Sequence, residues 1–134
     1  MASATESTLP ISSSNDVVVV RQAVRAAAAA QGFSLVDQTK IVTAASELAR
    51  NTLEHGGGGT ATIQPLNMGA RVGLRLIFED HGPGIPDVTL ALTDGYTTGN
   101  GMGLGLSGSR RLMNEFDLWS EMGKGTRVTV AKWK

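Results

Sequence analysis

Four clusters of glycine divide this chain into short segments and so limit the elements that it can form. Glycine supplies 17 of the 134 residues, and its clusters lie at 56–59, 82–84, 95–108 and 123–125. Because glycine weakens the interior of helices and strands, each cluster predicts a loop. Such clustering indicates loops that are shaped for a ligand rather than a chain that is flexible throughout.

Length and composition narrow the class of protein. A chain of 134 residues has the size of one domain, and we expect a frayed terminus over residues 1–8 and a single domain over 9–134. Twelve basic and twelve acidic side chains give a net charge of zero, which argues against nucleic acid or a membrane surface as partner. There is no cysteine, and the apolar stretches are shorter than the about 20 residues that span a bilayer. We therefore expect a cytoplasmic protein.

The first helix is predicted from capping residues and an alanine run. Asn15 or Asp16 is the expected N-cap, and Gly32 is expected to end the helix. Residues 17–20 are four valines, which favour a strand by propensity. The alanines at 26–30 favour a helix, so we extend the helix back through the valines.

A second helix is predicted over about 38–55, with Asp37 as its expected N-cap and the glycines at 56–59 as its end. Four residues at helical spacing form its expected core stripe: Ile41, Ala45, Leu48 and Thr52.

Strands dominate the rest of the prediction. The expected strands are 9–11, 60–66, 71–79, 118–121 and 126–133, with a helix over 104–115 and a short helix or turn over 86–91. Strands with helices on one side define an α+β fold. We expect a two-layer α/β sandwich, with a mixed sheet and helices on one face.

Glu47 and Asn51 form the first candidate site. They are four residues apart on the second predicted helix, so their side chains share one face. Asn51 can offer an amide oxygen to Mg²⁺, which prefers oxygen ligands, and Glu47 can accept a proton from an attacking hydroxyl. Taken alone, the pair is also compatible with a solvated polar face.

The second candidate is the turn that begins at Asp80. Gly82 and Gly84 allow a sharp turn that brings the backbone close to a planar ligand. The carboxylate of Asp80, at the end of a predicted strand, can accept a hydrogen bond from the amino group of adenine. By itself, Asp-x-Gly-x-Gly is also a common turn.

The third candidate is a glycine-rich helix start at Gly101, Gly103 and Gly105. Free backbone N–H groups and the helix dipole favour an anion there, such as phosphate. The chain has no G-x-x-x-x-G-K-[ST] motif, which argues against a P-loop enzyme.

In this order, the three pieces resemble the GHKL (Bergerat-fold) ATP-binding family, over about residues 9–133. The matching segments are Glu47–Asn51 for its N box, Asp80-x-Gly82-x-Gly84 and Gly101-x-Gly103-x-Gly105 for its two glycine boxes, and Gly125-Thr126 for its Gly-Thr pair. The resemblance implies ATP bound between helices and sheet, under a lid at 87–100.

The same resemblance implies roles for single residues. It places Asp80 on adenine, Asn51 on Mg²⁺ and the glycines near the phosphates. In the kinase hypothesis, Glu47 would align or deprotonate the acceptor hydroxyl. Gly82, Gly84, Gly101, Gly103, Gly105 and Thr126 would complete the ATP site.

A narrower resemblance is to the RsbT-type switch kinases of bacterial stressosomes, which are small serine/threonine kinases. The segments that carry it are 32–39, 46–51, 94–98, 105–116 and 132–133. It implies STAS-domain antagonist and scaffold proteins as substrates, and a PP2C-type phosphatase or another output protein that is activated by binding. Two alternatives remain: an anti-sigma factor kinase that sequesters a sigma factor, and a nucleotide-gated binding module with little kinase activity.

Overall fold

The computed structural model describes residues 6–88, 92 and 106–134. Within them, the strands are Ser7–Ile11 (β1), Gly59–Met68 (β2), Arg71–Asp80 (β3), Glu115–Glu121 (β4) and Gly125–Trp133 (β5), and the helices are Ser14–Ala30 (α1), Leu35–Glu54 (α2) and Leu106–Leu112 (α3). None of the helices described has the length and apolar character needed to cross a membrane.

The described strands form one sheet in the order β1-β2-β3-β5-β4, and every neighbouring pair is antiparallel. The expectation of a mixed sheet is therefore wrong. Tight turns at Gly69 and Gly123, both with positive φ, join β2 to β3 and β4 to β5. Such turns suit antiparallel neighbours, whereas parallel strands need a long crossover.

One face of the sheet forms the core with the helices. Side chains that alternate toward this face are buried in adjacent rows: Ala61 and Ile63 on β2, Leu76 and Phe78 on β3, Val128 and Val130 on β5. α1 and α2 pack against them with buried stripes of their own. The expected α+β two-layer sandwich is confirmed.

The opposite face of the sheet carries two arginine–tryptophan stacks. The guanidinium of Arg71 lies 3.9 Å from the ring centre of Trp133, and that of Arg127 lies 5.5 Å from the ring centre of Trp119. Trp119 is 41% exposed. By strand alternation, these side chains point away from α1 and α2.

Both predicted N-caps are wrong, because each helix is capped by a serine two or three residues before the predicted residue. Ser13 caps α1 and Ser34 caps α2, each with its hydroxyl accepting the backbone N–H of the residue three positions on, Asp16 or Asp37, at 3.2 Å. The two aspartates instead lie in the first helical turn, where the helix dipole favours a negative charge. Asn15 lies inside α1.

The bodies of the two helices follow the prediction. The four valines at 17–20 are helical, and the predicted core stripe of α2 is buried throughout: Ile41, Ala45, Leu48 and Thr52. Gly32, at φ 84°, directly follows the C-cap residue of α1.

Several other boundaries differ from the prediction, and two of them have a cause in the sheet. β1 begins at Ser7 rather than at 9, because Ser7 pairs with Ile63 of β2. α3 ends at Leu112 rather than at 115, and Glu115 belongs to β4. Asn114 explains this early end, since its backbone N–H bonds to the Ala131 carbonyl at 2.9 Å and draws the chain into the sheet. The start predicted for this helix, at 104, lies outside the described residues.

Candidate nucleotide site

A cavity lies between α2 and one end of the sheet. Its volume, including the open mouth, is about 330 Å³. α2 contributes Leu48, Asn51 and Thr52, and its C-cap residue His55 also lines the cavity. The strands contribute Phe78, Asp80, Thr126 and Val128. Three predicted site residues that are far apart in the sequence, Asn51, Asp80 and Thr126, therefore line one cavity.

Asp80 is the one acidic residue among those that line this cavity. It is 8% exposed and lies at the end of β3, next to apolar neighbours such as Phe78. Burial raises the pKa of its carboxyl above the ordinary value, while hydrogen bonds from the backbone of Gly82 and Thr126 and the nearby charge of His55 oppose that rise. The bond from Gly82 N–H to Oδ1 is 2.9 Å long. Such a carboxylate can accept a further hydrogen bond from a donor on a flat, apolar ligand.

Glycines allow three backbone segments to meet around Asp80. A Cβ atom on Gly56 would overlap the Asp80 carboxyl group, and one on Gly82 would overlap the backbone of Gly56. Gly125, at φ 131°, lies so close to the Asp80 carbonyl that a Cβ would overlap it as well. These glycines thus allow the backbone segments to pack closely around Asp80, because only a hydrogen atom fits at each of the three positions.

His55 joins two of these segments. Its Nε2 lies 3.3 Å from the carbonyl oxygen of Gly84, across the mouth of the turn that begins at Asp80. Sequence analysis assigned no role to His55. Its position directly before Gly56, at the end of the helix that carries Glu47 and Asn51, is the signal that could have pointed to it.

Glu47 lies one helical turn before Asn51 on α2. Its carboxylate forms an ion pair with Arg50, and Arg50 Nε also lies 3.7 Å from Glu54 Oε2. The Arg50 side chain is 47% exposed and that of Glu47 is 30% exposed, so solvent screens this pair. Sequence analysis did not single out Arg50, which contacts the carboxylate of Glu47.

A third residue that sequence analysis missed is Ser120 on β4. Its Oγ accepts the Ile85 N–H at 2.8 Å, and it lies 2.9 Å from Thr126 Oγ1 and 3.1 Å from the Gly125 carbonyl oxygen. Ile85 and Thr126 line the cavity, whereas Ser120 does not line it but contacts both of these residues. A lone serine on a strand carries no sequence signal of such a position.

The predicted phosphate loop is described only at its end. Gly101, Gly103 and Gly105, and most of the predicted lid at 87–100, lie outside the described residues. The helix that follows them begins at Leu106, which is 3% exposed and lines the cavity. The chain therefore enters α3 directly beside the pocket that contains Asp80.

The family of the chain follows from its sequence. Residues 36–134 match the family described as histidine kinase-, DNA gyrase B-, and HSP90-like ATPase. The chain belongs to this ATPase family, and this range includes every residue of the cavity named above.

Individual proteins are similar to this chain over most of its length. The chain is 46% identical to the serine/threonine-protein kinase RsbT of Bacillus subtilis (strain 168), over 88% of this chain and 89% of that protein. It is 30% identical to the anti-sigma F factor of Thermoanaerobacter sp. (strain X514), over 92% of this chain and 89% of that protein. The anti-sigma F factor of Clostridium kluyveri (strain NBRC 12016) is also 30% identical.

Solved structures agree on the fold. Two nucleotide-free forms of the catalytic domain of the histidine kinase ThkA superpose with TM-scores of 0.51 and 0.52, at 16% and 18% sequence identity. The matches cover 96% and 98% of this chain, and 95% and 99% of those domains. At this level of identity, the similarity establishes the architecture alone.

Proposed function

We propose that this chain is an ATP- and Mg²⁺-dependent serine/threonine-protein kinase that acts as a partner switch in bacterial stress signalling. The observation that carries the proposal is the meeting of Asn51, Asp80 and Thr126 in one cavity, with Glu47 one helical turn away on α2. Similarity to a serine/threonine kinase over most of the chain supports the same reaction.

The cavity suits a purine base on chemical grounds. Its floor is apolar, through Leu48, Phe78 and Val128, and one buried carboxylate, Asp80, supplies the polar contact. This combination of apolar walls with a few fixed polar groups is typical of small-molecule pockets. In the proposed complex, Asp80 accepts the amino group of adenine and Gly82 and Gly84 line the turn beside the base.

Asn51 is the proposed ligand of Mg²⁺. It lies in the wall of the cavity, and its amide oxygen is of the kind that this hard cation prefers. When bound, the ion would neutralise charge on the phosphates of ATP. Gly101, Gly103 and Gly105 are proposed to bind those phosphates through their backbone N–H groups.

Glu47 is the proposed catalytic base. Phosphoryl transfer depends mainly on positioning and on charge, and Glu47 would orient the acceptor hydroxyl and take its proton. Glu47 lies on the face of α2 that also carries Asn51, four residues further on, and its carboxylate contacts Arg50.

The test compares two glutamates that contact the same arginine. Glu47→Gln is expected to lower phosphotransfer from ATP to a STAS-domain protein of the same organism by about 10²–10⁴-fold, while Mg-ADP still binds. Glu54→Gln is the matched control, because Glu54 also contacts Arg50 but lies beyond Asn51 on α2. Its transfer rate should stay within about twofold of the unmodified protein.

Two results would contradict these assignments. Unchanged phosphotransfer by Glu47→Gln would remove Glu47 from the reaction. Absence of Mg-ATP binding in calorimetry, at millimolar concentration, would overturn the nucleotide site itself.

The proposed partners follow from the proposed reaction. STAS-domain antagonist and scaffold proteins are the proposed substrates, and a PP2C-type phosphatase or another output protein is the proposed target of the released kinase. Because ATP is the phosphate donor, we place the reaction in the cytoplasm. Phosphosite mapping after incubation with each candidate identifies the substrate.

A second candidate function is supported by the two anti-sigma F factors that are 30% identical to the chain. In that case the chain would sequester a sigma factor and phosphorylate its antagonist. Co-purification with a sigma factor from the native cell would favour this function over the stress switch. Partner activation by a variant that transfers no phosphate would instead favour a nucleotide-gated binding module.

A further inference from the structure

We infer that Ser120, which does not line the nucleotide cavity, sets its preference for a 6-amino purine by fixing the direction of the Thr126 hydroxyl. This inference rests on the proposed function, because it concerns which base the cavity accepts. It assigns a positioning role to a residue on β4, the strand at the edge of the sheet.

Three polar groups surround Ser120 Oγ. The Ile85 N–H can only donate, at 2.8 Å, and the Gly125 carbonyl can only accept, at 3.1 Å. Thr126 Oγ1, at 2.9 Å, can do either. A serine hydroxyl has one proton to donate and two lone pairs to accept with.

A single arrangement of protons makes all three contacts hydrogen bonds. Ser120 must give its proton to the Gly125 carbonyl, because that oxygen has none of its own. The lone pairs of Ser120 then accept from Ile85 N–H and from the Thr126 hydroxyl. The proton of Thr126 therefore points at Ser120, and the lone pairs of Thr126 Oγ1 remain for the cavity.

This orientation gives the cavity two acceptors side by side. Asp80 and Thr126 are directly opposite each other on β3 and β5, and both line the cavity. The Asp80 carboxylate accepts but cannot donate when ionised. An exocyclic amino group, as in adenine, satisfies such a pair, whereas a carbonyl at the same position, as in hypoxanthine, faces oxygen lone pairs.

Ser120 also fixes the apolar side of the cavity. Its bond to Ile85 N–H holds a residue that is 8% exposed and lines the pocket. A second hydrogen bond, from Gly123 N–H to the Pro83 carbonyl at 2.9 Å, also joins the turn containing Gly84 to the β4–β5 hairpin. The loss of Ser120 therefore leaves this turn attached, while the Thr126 hydroxyl becomes free to rotate.

The experiment compares the affinities of ADP and inosine diphosphate, which differ at the 6-position of the base. Calorimetry with Mg²⁺ gives the ratio of the two dissociation constants. In Ser120→Ala the preference for ADP is expected to fall about tenfold, because the rotated Thr126 hydroxyl can donate to the 6-oxo group. Ser120→Thr keeps the hydroxyl and is expected to restore the preference.

A double-mutant cycle separates this role from a general effect on folding. In a Thr126→Val background, Ser120→Ala is expected to leave the ratio unchanged, because Thr126 no longer has a hydroxyl to orient. If Ser120→Ala does not fold, Ser120→Cys keeps the size of the side chain with a weak hydrogen-bonding group. The ratio for Ser120→Cys is expected to fall in the same direction.

Two results would overturn the inference. One is an unchanged ratio in Ser120→Ala, or in Ser120→Cys where that variant replaces it, while ADP still binds. The other is an equal fall of the ratio with and without the Thr126 hydroxyl. If the unmodified protein binds neither nucleotide, the proposed function fails instead, so the two failures are distinct.

Discussion

At the scale of single residues, the cavity is built around one buried carboxylate. Asp80 is 8% exposed, and its two named hydrogen-bond donors are backbone N–H groups. Burial raises its pKa, which means that the fold holds the charged form at a cost. At positions of this kind, a functional group lowers the stability of the folded protein.

The variant Asp80→Asn tests whether the charged carboxylate lowers the stability of the fold. Because the folded protein binds this proton more tightly than the unfolded chain, the free energy of unfolding falls as pH rises from about 4 through the raised pKa, and is level above it. Asp80→Asn has no titrating group at this position, so its free energy of unfolding lacks this decrease. We expect it to be at least as stable as the unmodified protein at pH 7, to lose this advantage near pH 3.5, and to bind ADP at least about tenfold more weakly.

Urea unfolding at both pH values gives the two free energies, and calorimetry gives the affinity. Asp117→Asn is the control, since Asp117 is exposed on β4 and its replacement should change neither. A variant that is less stable by the same amount at both pH values would contradict the charge argument.

Site residues could be predicted from the sequence where a motif combined chemistry with spacing. Asn51, Asp80 and Thr126 were predicted to share a site, and they line one cavity; their roles stay predictions. Ser120 and Arg50 could not be found in this way. Their contacts depend on which strands and turns meet in space, and neither residue type is unusual at its position.

At the scale of elements, helix bodies were more predictable than helix ends. Apolar residues at helical spacing predicted α2 and its core stripe from Ile41 to Thr52, because one face of the helix is buried along its whole length. A helix start depends on a single side chain. Serine and aspartate, three residues apart at both starts, are both good N-caps, so local sequence could not choose between Ser34 and Asp37.

Ser34→Ala measures the contribution of the cap that the structure assigns. The variant removes the hydroxyl that accepts the Asp37 N–H, so we expect α2 to lose about 1 kcal/mol of stability. Thr43→Ala is the matched control, because Thr43 is exposed in the middle of α2 and alanine favours a helix there. Chemical unfolding should show a loss for the first variant and none for the second.

At the scale of the whole molecule, the element order predicted the two layers but not the strand directions. Runs of apolar and alternating residues marked the strands, and the helix stripe marked the face that they share. Strand direction depends on which strands are neighbours, and β5 lies between β3 and β4. That placement follows from contacts across the sheet, which one sequence does not display.

A ligand that binds only the folded chain raises its stability by mass action. At about 100 times the dissociation constant, Mg-ADP should add about 2.7 kcal/mol, which corresponds to about 10 °C in Tm for a chain of this length. Mg-GDP at the same concentration should produce a smaller shift. Thermal scans with and without EDTA would show whether the cation contributes, and equal shifts for ADP and GDP would contradict an adenine pocket.

The two arginine–tryptophan stacks have an optical consequence. The chain has two tryptophans, and both indoles lie on the sheet face that points away from α1 and α2, against guanidinium groups. Intrinsic emission therefore reports the environment of that outer face, and nucleotide on the helix side should leave its spectrum nearly unchanged. A shift of the emission maximum when another protein is added would place the contact on the sheet, without any label.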